Sequence, residues 1–300
     1  MSDPTVAAVV VNWNGKELLE ACLLSLRASD EAGLRTIVVD NASTDGSSEL
    51  VRERFPEVCL VENAENEGYA AGANAGLERA NELGADYALL LNNDLELAPD
   101  AVSALLLVAV EHPRAAFLGP MIYYHDRPDV IWSFGGKVSY WSGNIRHVGL
   151  RERDEGQFSI VTPADYVTGC AVLVSLAAVR EIGPMDTGYF MYNEDTDWCV
   201  RAARSGYEVL AVPTARIWHK VSMSSGGGLT PFKIYHRFRS TLRFFARHAR
   251  FYHWLGIVPA TLARTIVFAV RELAGGRWEN VRALTRGILD SLRGREREAA

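Results

Sequence analysis

Apolar residues along the first 112 positions of the chain follow two different periods. Short aliphatic runs at residues 6–11, 36–39 and 87–91 stop abruptly at polar residues, which is typical of parallel strands buried on both faces. Between these runs, apolar residues recur every three or four positions, as they do on one face of a helix. The alternation predicts an α/β fold in which helices flank a doubly wound, mostly parallel sheet.

The regular alternation ends after residue 124. Residues 132–147 are rich in aromatic residues and glycine and predict irregular hairpins, whereas 194–205 predict a helix and 207–212 a strand. The triplet Gly226-Gly227-Gly228 is typical of a flexible hinge. We therefore predict a main domain of residues 1–228 and a helical C-terminal extension of residues 229–300.

Charge is distributed unevenly between these two parts. The formal net charge is −6, but residues 233–300 carry 14 Lys and Arg against 5 Asp and Glu, a net of +9 that leaves −15 on the rest. The chain is therefore an acidic body with a basic tail. Four cysteines without a CxxC pair argue for reduced, mostly buried thiols in a cytoplasmic protein. The first residues lack the basic and apolar regions of a signal peptide.

Five aromatic side chains interleave with the arginines of the basic tail: Phe238, Phe244, Phe245, Phe251 and Trp254. The apolar run that follows, 254–270, is interrupted by Pro259 and Arg264. It is shorter than the roughly 20 residues that cross a bilayer, so we expect it to lie on a surface. Basic aromatic helices are typical of anionic lipid surfaces or of nucleic-acid binding, or are simply solvated. Because the following run is apolar, we favour peripheral membrane contact and expect no nucleic-acid partner.

Polar residues follow several of the predicted strands, at the sheet edge where α/β proteins bind ligands. Asp40 could accept hydrogen bonds from a nucleotide base or cap the next helix. Asp94, after Asn92 and Asn93, could bind a divalent cation or belong to an ordinary turn. His219 could bind the same cation or serve as a structural hydrogen-bonding residue.

Three acids open the predicted helix at 194–205. Glu194, Asp195 and Asp197 could simply favour the helix dipole. The preceding residues 185–192 are apolar, however, and burial would raise a carboxyl pKa toward the range useful for a general base. Trp132 and Trp141, in the aromatic segment, could stack on sugar rings or pack beneath the hairpins.

Five spaced motifs together resemble family 2 glycosyltransferases, over about residues 5–225. Within that family the chain is most similar to the bacterial rhamnosyltransferase-type branch. The motifs, in chain order, are Val9-Val10-Val11-Asn12-Trp13-Asn14, residues 39–47 (VDNASTDGS), Asn66-Glu67-Gly68-Tyr69, Asn92-Asn93-Asp94 and Asn193-Glu194-Asp195-Thr196-Asp197.

The resemblance implies a GT-A fold and inverting transfer of a sugar from a nucleotide diphosphate sugar. By position it implies that Asp40 contacts the base, that Asn92 lies at the ribose, and that Asp94 and His219 hold Mg2+ or Mn2+. Asp195 would deprotonate the acceptor hydroxyl, with Glu194 as the second candidate. The other residues expected at the nucleotide sugar are Asn12, Asn14, Asn66, Gly68, Asn74 and Asn93.

The expected reaction is transfer of L-rhamnose from dTDP-rhamnose to a glycan or lipid-linked acceptor in cell-surface polysaccharide synthesis, at the inner face of the cell membrane. The usual Asp-x-Asp motif is Asn92-Asn93-Asp94 here, which bears on metal affinity because one carboxylate is missing. Another UDP- or GDP-sugar, or a catalytically silent nucleotide-sugar-binding protein, remains an alternative, and so does a homodimer. A dinucleotide-dependent oxidoreductase is disfavoured, since no G-x-G-x-x-G follows the first strand.

Overall fold

The computed structural model describes residues 4–221 and 228–293. Of the predicted hinge, Gly226 and Gly227 lie outside the described residues. The first half contains β1 (Val6–Asn12), α1 (Lys16–Arg27), β2 (Arg35–Asp40), α2 (Ser47–Arg54), β3 (Cys59–Glu62), α3 (Tyr69–Glu82), β4 (Tyr87–Asn92), β5 (Leu95–Leu97), α4 (Ala101–Glu111) and β6 (Ala115–Tyr124).

The second half begins with a run of strands and ends in helices. Its elements are β7 (Arg127–Ser133), β8 (Gly136–Ser139), β9 (Asn144–His147), β10 (Thr162–Pro163), β11 (Ala171–Ser175), α5 (Leu176–Ile182), α6 (Glu194–Arg204), β12 (Glu208–His219), α7 (Pro231–His248), a 3-10 turn (Phe251–His253), α8 (Trp254–Ala274) and α9 (Trp278–Leu292).

One mixed sheet runs through the described part of the chain, in the order β10-β12-β6-β11-β4-β1-β2-β3, with β5 on β12 and β7 on β6. The strands β4, β1, β2 and β3 are parallel, as the alternating pattern predicts. β11 lies antiparallel between β4 and β6. Its direction could not be predicted, because a strand buried on both faces has the same apolar pattern in either direction. The separate hairpin β8–β9 is antiparallel.

Helices cover both faces of the sheet. Buried residues of α1, α2 and α4 pack on one face, and those of α3, α5 and α6 pack on the other. α3 lies so close to β1 that a Cβ on Gly76 would be 2.1 Å from Cγ1 of Val9. The small residues of α3 therefore allow a helix to approach a strand. All four cysteines are free, and Cys22, Cys170 and Cys199 are buried, as predicted.

α7 packs against the main body instead of lying free. Phe244 and Phe245 are 0% and 1% exposed and share a buried cluster with Tyr189, Val200 and Ile257. The prediction that these two phenylalanines face lipid is therefore wrong, because tertiary packing on α6 buries them. The division at residue 228 stays a prediction about folding units, although these contacts join the two parts.

α8 is longer than the sequence predicts. It runs for 21 residues through Pro259 and Arg264, so the expected interruption is wrong. Among the described residues, Phe251–Ala274 is the one helix long and apolar enough to cross a membrane. Exposed apolar side chains recur along one side of it every three or four residues. We call this surface the α8 stripe: Phe251, Leu255, Val258, Leu262, Ile266, Val267, Val270 and Leu273.

The opposite side of α8 contacts the protein. Ile257 is buried, and Nη2 of Arg264 donates to the carbonyl oxygen of Gly143, in the turn between β8 and β9, at 2.9 Å. Farther along, the Phe268 ring lies 5.9 Å from the Phe238 ring of α7. α8 is therefore held lengthwise along the body, with the α8 stripe facing outward.

Candidate active site

A network of amides and a carboxylate joins the carboxyl ends of β1, β2 and β4. Nδ2 of Asn12 donates to Oδ1 of Asp40 at 2.8 Å, and Nδ2 of Asn93 donates to Oδ1 of Asn12 at 2.7 Å. Asp40 also accepts hydrogen bonds from the hydroxyl of Ser43 at 2.6 Å and from its backbone N–H at 2.9 Å. Asp40 does not cap α2, whose N-cap is Gly46. Its predicted contact with a base stays a prediction.

The loops that carry these residues contain backbone in the left-handed region. Asn14 and Ala42 have φ of 48° and 59°, and Tyr192 and Asn193, immediately before the acids, have φ of 69° and 65°. Such conformations cost about 1–3 kcal/mol each and are concentrated at functional sites. The side chain of Asn14 is used within the protein, because its Oδ1 accepts the backbone N–H of Thr44 at 2.8 Å.

The motif at residues 66–69 lies against the loop that precedes the acids. Oδ1 of Asn66 accepts the N–H of Gly68 at 3.0 Å. Gly68 has φ of 91°, and a Cβ there would be 2.6 Å from the carbonyl oxygen of Phe190. Nδ2 of Asn74 donates to the Met185 carbonyl oxygen at 2.9 Å, and Oδ1 of Asn74 accepts the Met185 N–H at 3.0 Å. Asn74 therefore positions the loop leading to the acids, and its predicted contact with the nucleotide sugar stays a prediction.

Asp94 and His219 meet at the end of β12, where β5 pairs with it. Nε2 of His219 lies 3.1 Å from Oδ1 of Asp94, and both side chains are buried. The backbone N–H of Lys220 donates to the Asp94 carbonyl oxygen at 2.9 Å, which fixes the two strands in register. Asn92, the last residue of β4, is partly exposed. The structure thus brings together the two side chains predicted to hold a metal.

The donor set at this point suits a metal that receives further ligands from its substrate. Nδ1 of His219 is buried and has no hydrogen-bond partner among the described residues. Residues 4–221 and 228–293 contain no group of three or more His, Cys, Asp or Glu placed to hold a metal. One carboxylate and one imidazole match the sparse protein coordination that Mg2+ and Mn2+ adopt when phosphate oxygens and water complete the shell.

Glu194 and Asp195 lie side by side at the start of α6 but in different surroundings. Oδ2 of Asp195 accepts the N–H of Gly169 at 2.8 Å, and its Oδ1 accepts the N–H of Thr196 at 2.6 Å. Asp195 is partly exposed, whereas Glu194 is buried and its Oε2 has no hydrogen-bond partner among the described residues. The hydroxyl of Tyr69 donates to the Gly169 carbonyl and so fixes this peptide from its other side.

The protonation of this pair follows from these surroundings. Burial raises the pKa of Glu194 to about 8, and the neighbouring charge of Asp195 adds to the rise. Burial also raises the pKa of Asp195, but the N–H groups of Gly169 and Thr196 oppose that rise by stabilising its charged form. When the pair holds one proton, the proton therefore resides on Glu194 and Asp195 is the carboxylate.

The segment Gly169-Cys170 connects the two halves of the site. The Gly169 N–H holds Asp195, and the Cys170 carbonyl accepts the N–H of Asn92 at 2.8 Å, two residues before Asp94. Burial raises the pKa of the Cys170 thiol, and the carboxylates of Asp94 and Asp195 both raise it further. The two acids therefore lie close to the same short segment.

Aromatic rings from the hairpin region line the space beside the Asp94–His219 pair. The centroid of the Trp132 ring is 4.6 Å from that of His219 and 4.7 Å from that of His147. Nδ1 of His147 lies 3.3 Å from the hydroxyl oxygen of Tyr166. Trp141 lies at the other end of the hairpin, where its ring packs on Tyr252 but stays 62% exposed, so both of its interpretations stay predictions.

Asp197, for which the sequence suggested only a favourable position in the first turn of the helix, links the site to the C-terminal helices. It is fully buried, and its carboxylate lies 3.0 Å from Nε of Arg201, 2.7 Å from Nε2 of His248 and 3.2 Å from Nη1 of Arg247. Burial alone would raise the pKa of Asp197, but these cationic and hydrogen-bonding partners hold it below its ordinary value. The signal in the sequence that could have indicated this contact is the concentration of basic residues in the tail, since basic residues that pack on the main body need an acidic partner there.

The family model described as glycosyl transferase family 2 matches residues 7–183, more than half of the chain. The chain belongs to glycosyl transferase family 2. The matched part of this glycosyltransferase contains the Asp40 network, Asp94 and Gly169, and the family and the structures similar to it establish a GT-A fold. The predicted family and fold class are confirmed.

Two relatives of this glycosyltransferase are rhamnosyltransferases. N-acetylglucosaminyl-diphospho-decaprenol L-rhamnosyltransferase of Mycobacterium tuberculosis is 29% identical over 239 residues, covering 73% of this chain and 76% of the relative. The dTDP-rhamnosyl transferase RfbF of Shigella flexneri is 25% identical over 224 residues, covering 73% and 70%. The predicted resemblance to the rhamnosyltransferase branch is therefore confirmed.

Among solved structures, the mannosyltransferase PcManGT from Pyrobaculum calidifontis is similar along nearly the whole chain. The TM-score is 0.64 at 18% identity, covering 99% of this chain and 89% of that one. That structure was solved in complex with GDP-Man and Mn2+. The similarity extends over the C-terminal helices as well as the sheet.

Proposed function

We propose that this family 2 glycosyltransferase transfers L-rhamnose, with inversion, from dTDP-L-rhamnose to a hydroxyl of a lipid-linked glycan in cell-surface polysaccharide synthesis. The observation that carries the proposal is that Gly169-Cys170 holds Asp195 directly and also binds β4 two residues before Asp94. A sugar bound there would have the donor diphosphate beside one acid and the acceptor hydroxyl beside the other.

Asp195 acts as the general base. It is charged when Glu194 holds the shared proton, and it is the more exposed of the two. As the acceptor oxygen attacks the anomeric carbon, Asp195 takes its proton, and the bond from that carbon to the diphosphate oxygen breaks on the opposite face. A single displacement of this kind inverts the anomeric configuration.

Asp94 and His219 would hold the divalent cation. Bound Mg2+ or Mn2+ supplies Lewis-acid stabilisation for the negative charge of the departing diphosphate. The buried His219 Nε2 and Asp94 Oδ1 are 3.1 Å apart, which suits two groups directed at one cation. The nucleoside of the donor contacts the hydrogen-bonded group formed by Asn12, Asp40 and Asn93.

The choice of donor and acceptor follows the relatives. One is named as transferring L-rhamnose onto N-acetylglucosaminyl-diphospho-decaprenol and the other as a dTDP-rhamnosyl transferase. A lipid-linked acceptor also accounts for the α8 stripe, which exposes apolar residues such as Phe251 and Leu255 at 86% and 80%. We propose that the α8 stripe lies in the inner face of the cell membrane as a peripheral anchor.

The decisive assay supplies dTDP-L-rhamnose with N-acetylglucosamine linked to a prenyl diphosphate, and substitutes UDP- and GDP-sugars in parallel. We expect a rhamnosylated lipid whose new linkage has inverted anomeric configuration by NMR. Activity should disappear with EDTA and return with Mn2+ or Mg2+. Nucleotide binding by the wild type without transfer to any acceptor would indicate a catalytically silent binding protein.

Two variants separate the acids. Asp195→Asn should abolish transfer while the thermal shift caused by dTDP with Mn2+ remains, since the base does not hold the nucleotide. Glu194→Gln should retain measurable activity, because glutamine mimics the protonated carboxyl. If Glu194→Gln were inactive and Asp195→Asn active, the two roles would have to be exchanged.

Membrane contact is tested by flotation with anionic liposomes. The triple variant Leu255→Gln, Val258→Gln and Leu262→Gln should remain unbound at a lipid concentration that floats the wild type. Leu107→Gln with Val110→Gln is the control, since these residues of α4 are exposed apolar side chains outside the α8 stripe. Loss of a dimer in the triple variant, with liposome binding unchanged, would assign the α8 stripe to self-association instead.

A further inference from the structure

Trp132 contacts His219 from a strand that is not its neighbour in the sheet. Trp132 lies on β7 and His219 ends β12, and both strands pair with the same residues of β6, so they lie on opposite edges of it. The indole nevertheless reaches over β6, because its ring centroid is 4.6 Å from that of the His219 imidazole. The two ring planes meet at 89°, an edge-to-face arrangement that aromatic rings favour.

A bulge in β7 is centred on Trp132. Ser133 pairs with Ile122 of β6 and Ile131 pairs with Tyr123, which leaves Trp132 without an opposite residue. The residues on both sides of Trp132 are buried, whereas Trp132 itself is partly exposed. An extra residue of this kind bends a strand and redirects a side chain, and such bulges are frequent beside active sites. The bulge therefore accounts for a side chain of β7 that reaches across β6.

His219 lacks the hydrogen bond that usually orients a metal-bound imidazole. Its Nε2 lies 3.1 Å from Oδ1 of Asp94, whereas its buried Nδ1 has no hydrogen-bond partner among residues 4–221 and 228–293. In most metal sites the second nitrogen donates to a carboxylate, a carbonyl or water, which fixes the plane of the ring. The plane of the His219 ring depends on packing instead, and the indole of Trp132 is its aromatic neighbour.

The indole is itself packed on a second histidine, which is held by hydrogen bonds. The ring centroid of His147 is 4.7 Å from that of Trp132. Nδ1 of His147 lies 3.0 Å from Oγ of Ser133 and 3.3 Å from the hydroxyl oxygen of Tyr166. Because Ser133 follows Trp132 in the chain, one of these contacts returns to the strand that carries the indole. The contacts from His147 through Trp132 to His219 thus lead from an anchored imidazole to one whose Nδ1 lacks an anchor.

We propose that Trp132 is a positioning residue of the metal site, which holds the His219 imidazole in the plane that lets Nε2 share a divalent cation with Asp94. The inference rests on the proposed function in one respect, that His219 is a ligand of that cation. It does not depend on which sugar is transferred. Trp132 acts through His219 in this role and contacts neither the cation nor the substrate.

Binding of Mn2+ in the presence of saturating dTDP, with UDP in parallel, tests the inference. The EPR signal of free Mn2+ is the readout. Trp132→Leu should raise the Kd for Mn2+ about tenfold, since loss of a group that orients a ligand typically weakens metal binding by about 10–100-fold. Trp132→Phe retains an aromatic ring and should keep the Kd within about threefold of the wild type.

Trp218→Leu is the matched control. Trp218 directly precedes His219, but successive residues of a strand face opposite sides of the sheet. The Trp218 ring packs on Tyr123, with 6.1 Å between the ring centroids. This variant removes an equally large ring beside the same strand and should leave the Kd for Mn2+ unchanged. Equal melting temperatures of Trp132→Phe and the wild type would establish that the conservative variant folds normally.

A double-mutant cycle with His219→Ala determines whether Trp132 acts through the imidazole. With His219→Ala, Asp94 and the nucleotide phosphates are still present to bind Mn2+, but there is no ring to orient. Adding Trp132→Leu to this variant should therefore leave the Kd for Mn2+ unchanged. An equal loss in both backgrounds would overturn the inference, because it would assign Trp132 a general structural role.

The remaining outcomes separate this inference from the proposed function. If the wild type binds Mn2+ with dTDP or UDP but transfers no sugar, and the cycle gives the expected coupling, the proposed function fails and the positioning role stands. If the wild type binds no Mn2+ with either nucleotide, the positioning role fails. An unchanged Kd for Mn2+ in Trp132→Leu, with a raised KM for the nucleotide sugar, would overturn the inference and indicate that the indole stacks on the sugar.

Discussion

The buried carboxylate of Asp197 should be the most sensitive single point of attachment between the catalytic body and the C-terminal helices. Replacing it with asparagine keeps its volume but removes the charge that His248, Arg247 and Arg201 share. Removing one partner of a buried ion pair typically costs about 3–5 kcal/mol, because the other charge stays buried without compensation. Arg247 is 44% exposed and can regain water, which places the expected loss near about 3 kcal/mol.

Asp186→Asn provides a matched control, since Asp186 also pairs with Arg247 but is 23% exposed. An ion pair open to water contributes about 0–1 kcal/mol, so this control should lose no more than that. For a domain of roughly this size, about 3 kcal/mol corresponds to a fall in Tm of about 6–12 °C. A double-mutant cycle with His248→Gln should give a coupling energy above about 1 kcal/mol.

Urea denaturation followed by tryptophan fluorescence measures these differences. The pKa of Asp197 is lowered in the folded state, so its stabilisation is present above the unfolded value of 3.8 and is lost as pH falls through the folded value. The wild type should therefore exceed Asp197→Asn throughout the neutral range and approach it in acid. If Asp197→Asn were no less stable than Asp186→Asn, or if the cycle gave no coupling with His248, the network would not support the fold.

Three further substitutions probe the site and the core. Glu194→Gln should flatten the pH dependence of stability. The pKa of the Glu194 carboxyl is raised from 4.5 to about 8 in the folded state, so Glu194 destabilises the fold increasingly as pH rises through that window. A urea midpoint that falls equally in the wild type and in Glu194→Gln between pH 4.5 and about 8 would contradict this explanation. Gly76→Ala should lower the free energy of unfolding by about 1–3 kcal/mol, since the new Cβ would lie 2.1 Å from a side-chain atom of β1. Gly33→Ala is the control and should be nearly neutral in the same urea measurement, because the atom nearest to its Cβ is 3.6 Å away. Tyr69→Phe removes the hydrogen bond to the Gly169 carbonyl and should lower kcat about fivefold, the equivalent of ~1 kcal/mol, with KM for both substrates unchanged.

The parallel half of the sheet could be predicted because its signals are local. The run at 6–11 and the helical spacing after it depend only on neighbours in sequence, and β1 and α1 follow that pattern. The antiparallel β11 and the length of α8 could not, because strand direction and tolerance of Pro259 depend on tertiary contacts. The burial of Phe244 had the same cause, since aromatic residues among arginines suit a lipid surface and a packed interface equally well.

The candidate site likewise contains one part that the sequence predicts and another part that depends on tertiary contacts. The contact between Asp94 and His219 could be predicted from the motifs, because the resemblance assigned both side chains to one metal. The difference between Glu194 and Asp195 could not, because it depends on a backbone N–H of Gly169, 26 residues earlier. The sequence alone does not distinguish two neighbouring acids as candidates for the base, because the difference in their pKa depends on which of them accepts hydrogen bonds in the folded protein.

The hairpin β8–β9 relates the proposed membrane surface to the cleft. At its tip, a Cβ on Gly256 of α8 would meet the Trp141 carbonyl at 2.2 Å, so helix and hairpin are in close contact there. At its base, Gly136 and His147 pair with each other, and Gly136 also bridges to Tyr166, three residues before Gly169. Each strand of the hairpin has four residues, which at about 3.4 Å per residue separates tip from base by about 14 Å. With the α8 stripe in the lipid, as we propose, an acceptor whose sugar is joined directly to a lipid diphosphate would reach the cleft while its chain stays in the membrane. An acceptor on a long soluble glycan would not need the α8 stripe, so variants of that surface should spare it.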